Sequence, residues 1–407
     1  DTITNCYWLS GKASSGIGNG TGAATEKPEA QFDSGEVAWL LNQGQANGPW
    51  RQNLSGTDAD KYPVLGAAQS DTIVHKKDEG GYENSGHNFG DNGFCTKPDC
   101  SACQPAALDD GVYQISNAGQ LYWFAEQVNG GKYDADAVLM TDITINEDVL
   151  NADGELNIDN AGSFTQWTSI GNNSTNAYTG TFNGDGHTIS GLYPSGSSNY
   201  VGLFGYVGSG GVVQNVNIVD SNLISSSNSN IRVGGVCGCN YGTIKNCSFD
   251  GSVTGTGTGT VNRAYVGGVC GYSIGTITNC YNTGAVTGTG TDNRAYVGGV
   301  CGQNDDGMLT NCYNTGTVTG TGNVGGVCGN NYIGTITNCY NTGDVTGTGN
   351  SATVGGVCGY NVATIMNCYN TGSVNGSGNY TGGVCGRNDD TITNCYWLSG
   401  KASSGIG

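Results

Sequence analysis

A unit of about thirty residues returns six times in the second half of the sequence, and this repetition limits the fold more than any other feature. One clear copy, Tyr265–Gly284, reads YVGGVCGYSIGTITNCYNTG. Successive copies are 27 to 33 residues apart. Such a period is typical of chains that stack similar units, each burying its apolar face against its neighbours. The sequence therefore predicts a solenoid.

Each copy carries two cysteines at fixed places. The first lies in a Val-Gly-Gly-Val-Cys-Gly run, although Thr381 replaces the first valine in the last copy, and the second directly follows an asparagine. The cysteines are Cys237, Cys247, Cys270, Cys280, Cys301, Cys312, Cys328, Cys339, Cys358, Cys368, Cys385 and Cys395. The asparagines are Asn246, Asn279, Asn311, Asn338, Asn367 and Asn394.

The residue types in the repeat indicate which kind of solenoid forms. Val, Ile, Thr, Tyr, Asn and Gly dominate, which favours short strands joined by Gly and Asn corners over helices. Each unit offers three candidate strands, for example Val297–Cys301, Met308–Tyr313 and Thr317–Thr319. Stacked three-sided coils form parallel sheets with open edges only at the two ends. We therefore predict an all-β parallel β-helix.

The asparagine before the second cysteine is predicted to lie at a corner of each coil. Asparagine tolerates left-handed backbone, so a column of asparagines suits stacked corners. The spacing agrees, because Ile277 and Cys280 are three residues apart and cannot share one face of a straight strand.

An earlier coil without cysteines, Tyr200–Ile218, indicates where the cysteines point. Phe204 aligns with the first cysteine if a one-residue gap is allowed, and Val216 aligns with the second. Both positions therefore face inward. The two cysteines of a coil are then candidates to face each other across a narrow core, either as a disulfide or as two packed thiols.

Residues 1–18 are repeated letter for letter at 390–407. We interpret this as one repeat of a longer tandem array, cut with an overlap; an artefact is the alternative. The start at Asp1, without a signal peptide or transmembrane run, fits an internal window. Cys6 occupies the same position as Cys395, so its expected partner lies in the preceding unit.

Two segments outside the coils are predicted to contain helices that cap the stack. In residues 19–66, Gln31–Gln43 has a capping-box pattern formed by Asp33 and Glu36. In residues 111–131, Ile115–Gly131 has Ser116 as its expected N-cap. The remaining predicted segments are a polar linker at 67–110 and the parallel β-helix at 132–407, with its cysteine repeats from about residue 231.

The polar linker contains the residue types of a zinc site, namely His87, Cys95, Cys100 and Cys103. The Cys-x-x-Cys pair is common in such sites. A disulfide from Cys95, or a link to Cys239, is the alternative. Calcium at the turn pairs Asp305-Asp306 and Asp389-Asp390 is a weaker alternative, because neither has an established calcium-loop spacing. No other cofactor is expected.

Charge and cysteine content limit the functions that remain. The net charge is −19 with 14 scattered basic residues, which argues against nucleic acid and anionic membrane as partners. Seventeen cysteines argue for an exported protein. The histidines, His75, His87 and His187, lie in no catalytic motif, and no grouped carboxylates are evident, so no catalytic residue is expected.

The units VGGVCGYSIGTITNCYNTGAVTG resemble the GLUG-type repeats of large exported bacterial proteins, which include adhesin-like proteins and non-catalytic regions of IgA-cleaving metallopeptidases. The preceding GTFNGDGHTISGLY is similar to the opening coils of right-handed parallel β-helices. The resemblance covers roughly residues 111–407 and implies a right-handed β-solenoid at the bacterial cell surface. Cysteine in all six GGVCG runs departs from the usual aliphatic residue.

The function expected from these observations is structural. The chain would be a disulfide-stabilised unit of an extracellular or cell-surface fibre, with neighbouring units of the same protein as its partners and without membrane insertion. The first alternative is an adhesin stalk that binds glycan. The Thr-Gly tracts would offer it hydroxyl-rich faces; they lie at Val253–Gly259, Val286–Gly290, Val318–Gly322 and Val345–Gly349. The second is a non-catalytic region of an exported peptidase, or a glycan-cleaving β-helix enzyme.

Overall fold

The structure is a computed structural model that describes residues 6–10, 24–43, 50–54, 61–65, 74–76, 82–84, 87–97, 100–194, 197–259, 262–378 and 380–407. The chain divides into two compact units, Asp1–Pro105 and Ala106–Gly407. The second unit is a stack of coils whose strands pair almost entirely in parallel. The predicted all-β solenoid with short helical segments is therefore confirmed.

Four sheets, named A to D in chain order around a coil, form the sides of the solenoid. Sheet A contains Tyr200–Val201, Ile231–Gly234, Ala264–Gly267, Ala295–Gly298, Asn323–Gly325, Thr353–Gly355 and Tyr380–Gly382. Sheet B contains Phe204–Val207, Cys237–Asn240, Cys270–Ser273, Cys301–Asn304, Cys328–Asn331, Cys358–Asn361 and Cys385–Asn388.

Sheets C and D begin earlier in the chain. Sheet C contains Ala107–Asp109, Val112–Ile115, Asp136–Leu139, Thr181–Asn183, Val212–Gln214, Thr243–Lys245, Thr276–Thr278, Met308–Thr310, Thr335–Thr337, Thr364–Met366 and Ile392–Thr393. Sheet D contains Ile143–Thr144, Thr188–Ser190, Asn217–Ser227, Ser248–Gly257, Tyr281–Asn282, Ala285–Gly290, Tyr313–Asn314, Val318–Gly320, Tyr340–Asn341, Val345–Gly347, Tyr369–Asn370, Val374–Gly376 and Tyr396–Trp397. Two 3₁₀ turns lie at Ala161–Ser163 and Thr291–Asn293.

A regular coil contains five short strands rather than the three predicted. The expected strand Val297–Cys301 is divided at Gly299-Val300, and Met308–Tyr313 is divided at Asn311-Cys312. The first bend is crowded, since a Cβ atom on Gly299 would come within 2.2 Å of the Gly326 carbonyl oxygen of the next coil. Glycine is needed at this bend because adjacent backbones approach closely there.

One longer helix, Ala118–Asn129, packs beside the first coils. Its N-cap is Asn117, whose side chain accepts a hydrogen bond from the Gln120 amide at 2.9 Å, so the predicted cap Ser116 is wrong. The Ser116 amide donates instead to the Gln120 side chain, which satisfies it just outside the helix. Leu121 and Phe124 are fully buried on the inner face.

Within the described residues 24–43 of the first unit, two short helices, Glu29–Asp33 and Glu36–Leu41, lie where the sequence predicted one helix. Gly35 separates them with a φ of 85°, a conformation that glycine adopts without steric cost. The predicted capping box is therefore wrong, because Asp33 belongs to the end of the preceding helix. The strand pairs of this unit are Cys6–Leu9 with Ala24–Lys27, Trp50–Arg51 with Val64–Leu65, and Val74–Lys76 with Tyr82–Asn84.

Candidate functional site

The first cysteine of every coil belongs to a buried column in sheet B. Phe204 is in register with Cys237, and Cys237 with Cys270, which establishes the one-residue gap inferred from the sequence. Each thiol donates to the backbone carbonyl two residues further along the chain, Cys237 to Cys239 at 3.1 Å and Cys270 to Tyr272 at 3.2 Å. Stacking therefore places each first cysteine next to the same cysteine of the adjoining coil.

The second cysteines form a parallel column at the start of the strands in sheet D. The Cys312 amide donates to the Cys339 sulfur at 3.4 Å, and the Cys339 amide donates to the Cys368 sulfur at 3.4 Å. All twelve coil cysteines are thiols in this structure, and the pairing within coils stays a prediction. In-register parallel strands lie about 4.8 Å apart, which brings identical residues together along the axis.

Burial affects the protonation of three thiols in the sheet B column. Desolvation raises the pKa of Cys237, Cys270 and Cys301 well above the ordinary thiol value. Their protonated form is therefore favoured at neutral pH, and protonated thiols are poor nucleophiles. Cys6, whose partner is expected in the preceding unit, is exposed and lies opposite Ala24 in the first unit.

The asparagines before the second cysteines lie at a corner, with positive φ angles of 51° to 55° at Asn246, Asn279, Asn311, Asn338, Asn367 and Asn394. Their side chains form a continuous hydrogen-bonded ladder on the outside of the coils. The Asn279 amide nitrogen donates to the Asn246 oxygen, and that of Asn311 to the Asn279 oxygen, each at 3.1 Å. The ladder joins neighbouring coils along the stack.

A second asparagine ladder, which the sequence reasoning missed, is buried in the core. Asn282, Asn314, Asn341 and Asn370 have no exposed surface. Each of the first three donates to the next asparagine at 2.7 to 2.8 Å and to a glycine carbonyl two residues ahead. The missed signal was Phe249, which stands in register with Asn282 and shows that the position points inward.

A third ladder lies in sheet B. The Asn304 side chain donates to Asn331 at 2.8 Å, and the Asn331 side chain donates to Asn361 at 2.7 Å. All three residues are fully buried. The core of the later coils therefore contains asparagines that hydrogen-bond from coil to coil, together with buried thiols and fully buried aliphatic side chains such as Val300 and Leu309.

An outer column of tyrosines follows the second cysteines. Tyr281, Tyr313, Tyr340 and Tyr369 stack face to face, with ring centroids 4.8 to 4.9 Å apart and interplanar angles of 1° to 3°. Tyr396 stands next in register after Tyr369. The column covers one corner of the solenoid with a continuous aromatic strip.

A groove of about 370 Å³ lies outside sheets A and B. The Arg232 guanidinium lies 5.4 Å from the Tyr265 ring centroid and 5.3 Å from that of Tyr272. The Tyr272 hydroxyl donates to Asp305 at 2.7 Å. Two buried polar atoms, Arg232 Nε and Asn330 Oδ1, have no hydrogen-bond partner among the described residues. The groove therefore combines aromatic faces, cationic groups and unused hydrogen-bonding capacity.

The two aspartate pairs lie in turns. Asp389 accepts hydrogen bonds from the Tyr360 hydroxyl at 2.7 Å and from the Arg387 guanidinium at 2.8 Å. These two contacts lower the pKa of the Asp389 carboxyl. In each pair the first carboxylate is engaged by a neighbouring tyrosine, because Asp305 accepts from Tyr272 in the same way.

Three of the four residues predicted for a zinc site converge in the first unit. The ligand atoms of His87, Cys95 and Cys100 all lie within 4.8 Å of one another. Cys103 does not join this group among the described residues. Burial raises the pKa of the Cys100 thiol to about 12, and burial together with Lys97 and Arg51 lowers the pKa of His87.

Comparison with known proteins identifies the repeats. The GLUG motif matches residues 229–254, 262–287, 293–319, 320–346 and 350–375. Halomucin of Haloquadratum walsbyi is 40% identical over 87 residues, which span 21% of this chain and 1% of halomucin. A protein of Evansella cellulosilytica assigned as a Gly-rich membrane protein is 36% identical over 85 residues, or 21% of this chain and 10% of that protein.

A solved structure shares the fold. The crystal structure of a protein from Bacteroides ovatus, assigned as an immunoglobulin A1 protease, aligns with a TM-score of 0.54 at 22% identity. The alignment covers 72% of this chain and 86% of the other. Among the described residues, no helix is both long and apolar enough to span a membrane. Five GLUG motifs therefore lie within residues 229–375 of this chain, and the coils that contain them belong to a β-solenoid.

Proposed function

We propose that this chain is a structural unit of a bacterial extracellular or cell-surface fibre, in which successive units join end to end. The GLUG repeats and the solenoid support a structural role. The names of the relatives, halomucin and a Gly-rich membrane protein, support a location at the surface or outside the cell. The ladders along the stack would supply the mechanical resistance of the fibre.

The observation that carries the proposal is that residues 6–10, the described part of the first copy, and their counterparts at 395–399 occur in two environments. In the first copy, Cys6–Leu9 pairs in parallel with Ala24–Lys27, and its Tyr-Trp-Leu side chains are half-buried. In the second copy, the corresponding strand is the last one at its edge of sheet D. There Tyr396, Trp397 and Leu398 are 67%, 42% and 50% exposed.

The arrangement of the first copy supports one specific way in which the second would be covered. An unpaired strand edge offers hydrogen-bonding groups to an added strand. In a tandem array, the segment equivalent to Ala24–Lys27 would continue sheet D beyond Tyr396–Trp397, in the register seen in the first unit. The short helices Glu29–Asp33 and Glu36–Leu41 would follow as its cover.

The test is a chain extended after Gly407 by a second copy of residues 19–66. We expect the amides of residues 396–398 to gain at least tenfold protection from hydrogen exchange, and Trp397 fluorescence to shift to shorter wavelength. The matched control carries Thr25→Pro and Glu26→Pro in the added copy, since proline removes the donors of a strand. Equal exchange in the extended, control and original chains would contradict end-to-end joining.

A second candidate function, glycan binding, is favoured by the groove around Arg232. Tyrosine rings can pack against the C–H faces of sugars, and the arginines Arg232 and Arg263 suit a sugar that carries a carboxylate. Binding of acidic oligosaccharides should fall at least tenfold in Arg232→Gln. Arg387→Gln serves as the control, because Arg387 lies on sheet B and outside the groove. Equal binding by both variants would remove the groove as the site.

We propose no catalytic role, and the association with a peptidase remains an alternative. The Bacteroides ovatus structure is 22% identical and therefore supports the fold alone. The sequence lacks an HExxH motif, which a zinc peptidase of that class uses for its metal and general base. Cleavage of polysaccharide or immunoglobulin A by the purified chain would overturn this part of the proposal.

A further inference from the structure

The segment between residues 87 and 103 holds three metal-binding side chains close together, although the described residues 87–97 and 100–103 pair only through isolated bridges. The Cys100 sulfur lies 3.5 Å from His87 Nδ1. Cys95 completes a group whose ligand atoms are all within 4.8 Å of one another. Cys95 is buried, while His87 and Cys100 are partly buried.

The backbone that holds the group is fixed by a compact network of hydrogen bonds. Antiparallel bridges pair Phe89 with Cys95 and Phe94 with Cys103. The Cys95 amide donates to the Ala102 carbonyl at 3.0 Å, and the Cys100 amide donates to the Lys97 carbonyl at 3.2 Å. These contacts bring the Cys95 and Cys100 ends of the segment together without a disulfide.

The same pairing explains why Cys103 is separate. Successive side chains of an extended strand point to opposite faces. Cys103 is paired with Phe94 and therefore shares the face of Phe94, whereas Cys95, the next residue, points to the other face. Only three of the four sequence-predicted ligands are thus directed to one point.

The distances suit a tetrahedral ion with nitrogen and sulfur ligands. Zinc–nitrogen bonds of about 2.0 Å and zinc–sulfur bonds of about 2.3 Å place neighbouring N and S ligands about 3.5 Å apart. The His87–Cys100 separation has this value. Thiolate and imidazole ligands together favour zinc over calcium or magnesium, which prefer oxygen.

We propose that His87, Cys95 and Cys100 bind one zinc-class divalent ion, with a solvent molecule or an external group as its fourth ligand. The two thiols lose their protons to solvent on binding, so the site carries a neutral imidazole and two thiolates. The site lies in the first unit and does not depend on the proposed fibre role. It would order the polar segment that precedes the solenoid.

The test uses the full reduced chain and the metal alone. Zinc content after dialysis should be one ion per chain, and Co²⁺ should give the intense charge-transfer and d–d absorption of a tetrahedral thiolate site. His87→Asn and Cys100→Ser should each weaken Zn²⁺ binding at least a hundredfold. Cys103→Ser should retain it, as should Cys239→Ser, a control for the buried thiols of the solenoid.

Three results would overturn the proposal. The first is an unchanged Co²⁺ spectrum in His87→Asn and Cys100→Ser, which would place the metal among other cysteines. The second is a Cys95–Cys100 disulfide in the purified chain, identified by mass spectrometry, together with no metal uptake after reduction. Loss of binding in Cys103→Ser would also contradict the three-ligand geometry. None of these results bears on end-to-end joining.

Discussion

The early and late coils of the solenoid share one backbone pattern but fill their interiors differently. In the early coils, the rings of Tyr178, Phe182 and Phe204 pack with centroids 5.0 to 5.3 Å apart between neighbours. In the late coils, the position of Phe204 is taken by cysteines, and that of Phe249 by the buried asparagines that begin with Asn282. The change occurs within the same sheets.

The difference shows two ways to stabilise a narrow core. Aromatic rings bury large apolar areas, but each contact has its own geometry, so these coils cannot be copies of one another. Asparagine and cysteine bury less apolar surface, yet each lies beside its own kind at the strand spacing, and the buried asparagines hydrogen-bond to one another from coil to coil. The coils with asparagine and cysteine cores can therefore repeat nearly the same sequence, as the late coils do.

The largest effect should come from the aromatic core. Phe182→Ala removes a fully buried ring and should lower the free energy of unfolding by about 3–5 kcal/mol, measured by urea denaturation. Phe182→Leu, which keeps most of the apolar contact, is the control and should cost much less. If both variants unfold at the wild-type urea concentration, the early coils do not depend on ring packing.

The next effect tests the buried ladder. Asn314→Ala leaves Asn341 Oδ1 and the Gly316 carbonyl without their donor, and it should cost about 2–4 kcal/mol. Urea denaturation followed by tyrosine fluorescence is the measurement. Thr319→Ala, in the next strand of the same coil, is the control. A loss below about 0.5 kcal/mol for Asn314→Ala would show that the ladder is not stabilising.

The smallest effect per residue should come from the thiol columns. The folded-state pKa values of Cys237, Cys270 and Cys301 are raised, so the stabilisation from these three thiols is complete below the ordinary thiol pKa and is lost as the pH rises towards the folded-state values. Above about pH 9, each of these three thiols should cost up to about 1.4 kcal/mol per pH unit. Cys301→Val should reduce this slope in urea titrations between pH 8 and pH 10. An identical slope would contradict the burial of Cys301 as a protonated thiol.

The stacked coils and their corners were predictable from the sequence, because the same residue type recurs at the same place in each coil. Asn311 identified its corner through its tolerance of left-handed backbone, and Phe204 identified the inward direction of Cys237. The buried Asn314 could not be predicted from polarity, since an isolated asparagine favours a turn. It becomes a core residue because the adjoining coils supply its hydrogen-bond partners.

The His87 cluster was only partly predictable. Spacing alone grouped Cys100 with Cys103, since a Cys-x-x-Cys pair is compatible with one ion. The antiparallel bridge between Phe94 and Cys103 determines which side each cysteine occupies, and that pairing is not encoded in any local pattern.

The exact register of the late coils has a consequence for how such chains change in length. Tyr313 and Asn314 pair with a tyrosine and an asparagine in the coil that follows, and they pair with the same two residue types in the coil that precedes. A coil therefore presents matching surfaces to its two neighbours. Unequal recombination between the coding segments of two coils would then add or delete a whole layer while preserving every contact type. The same event among the aromatic coils would place side by side rings whose packing geometries do not match.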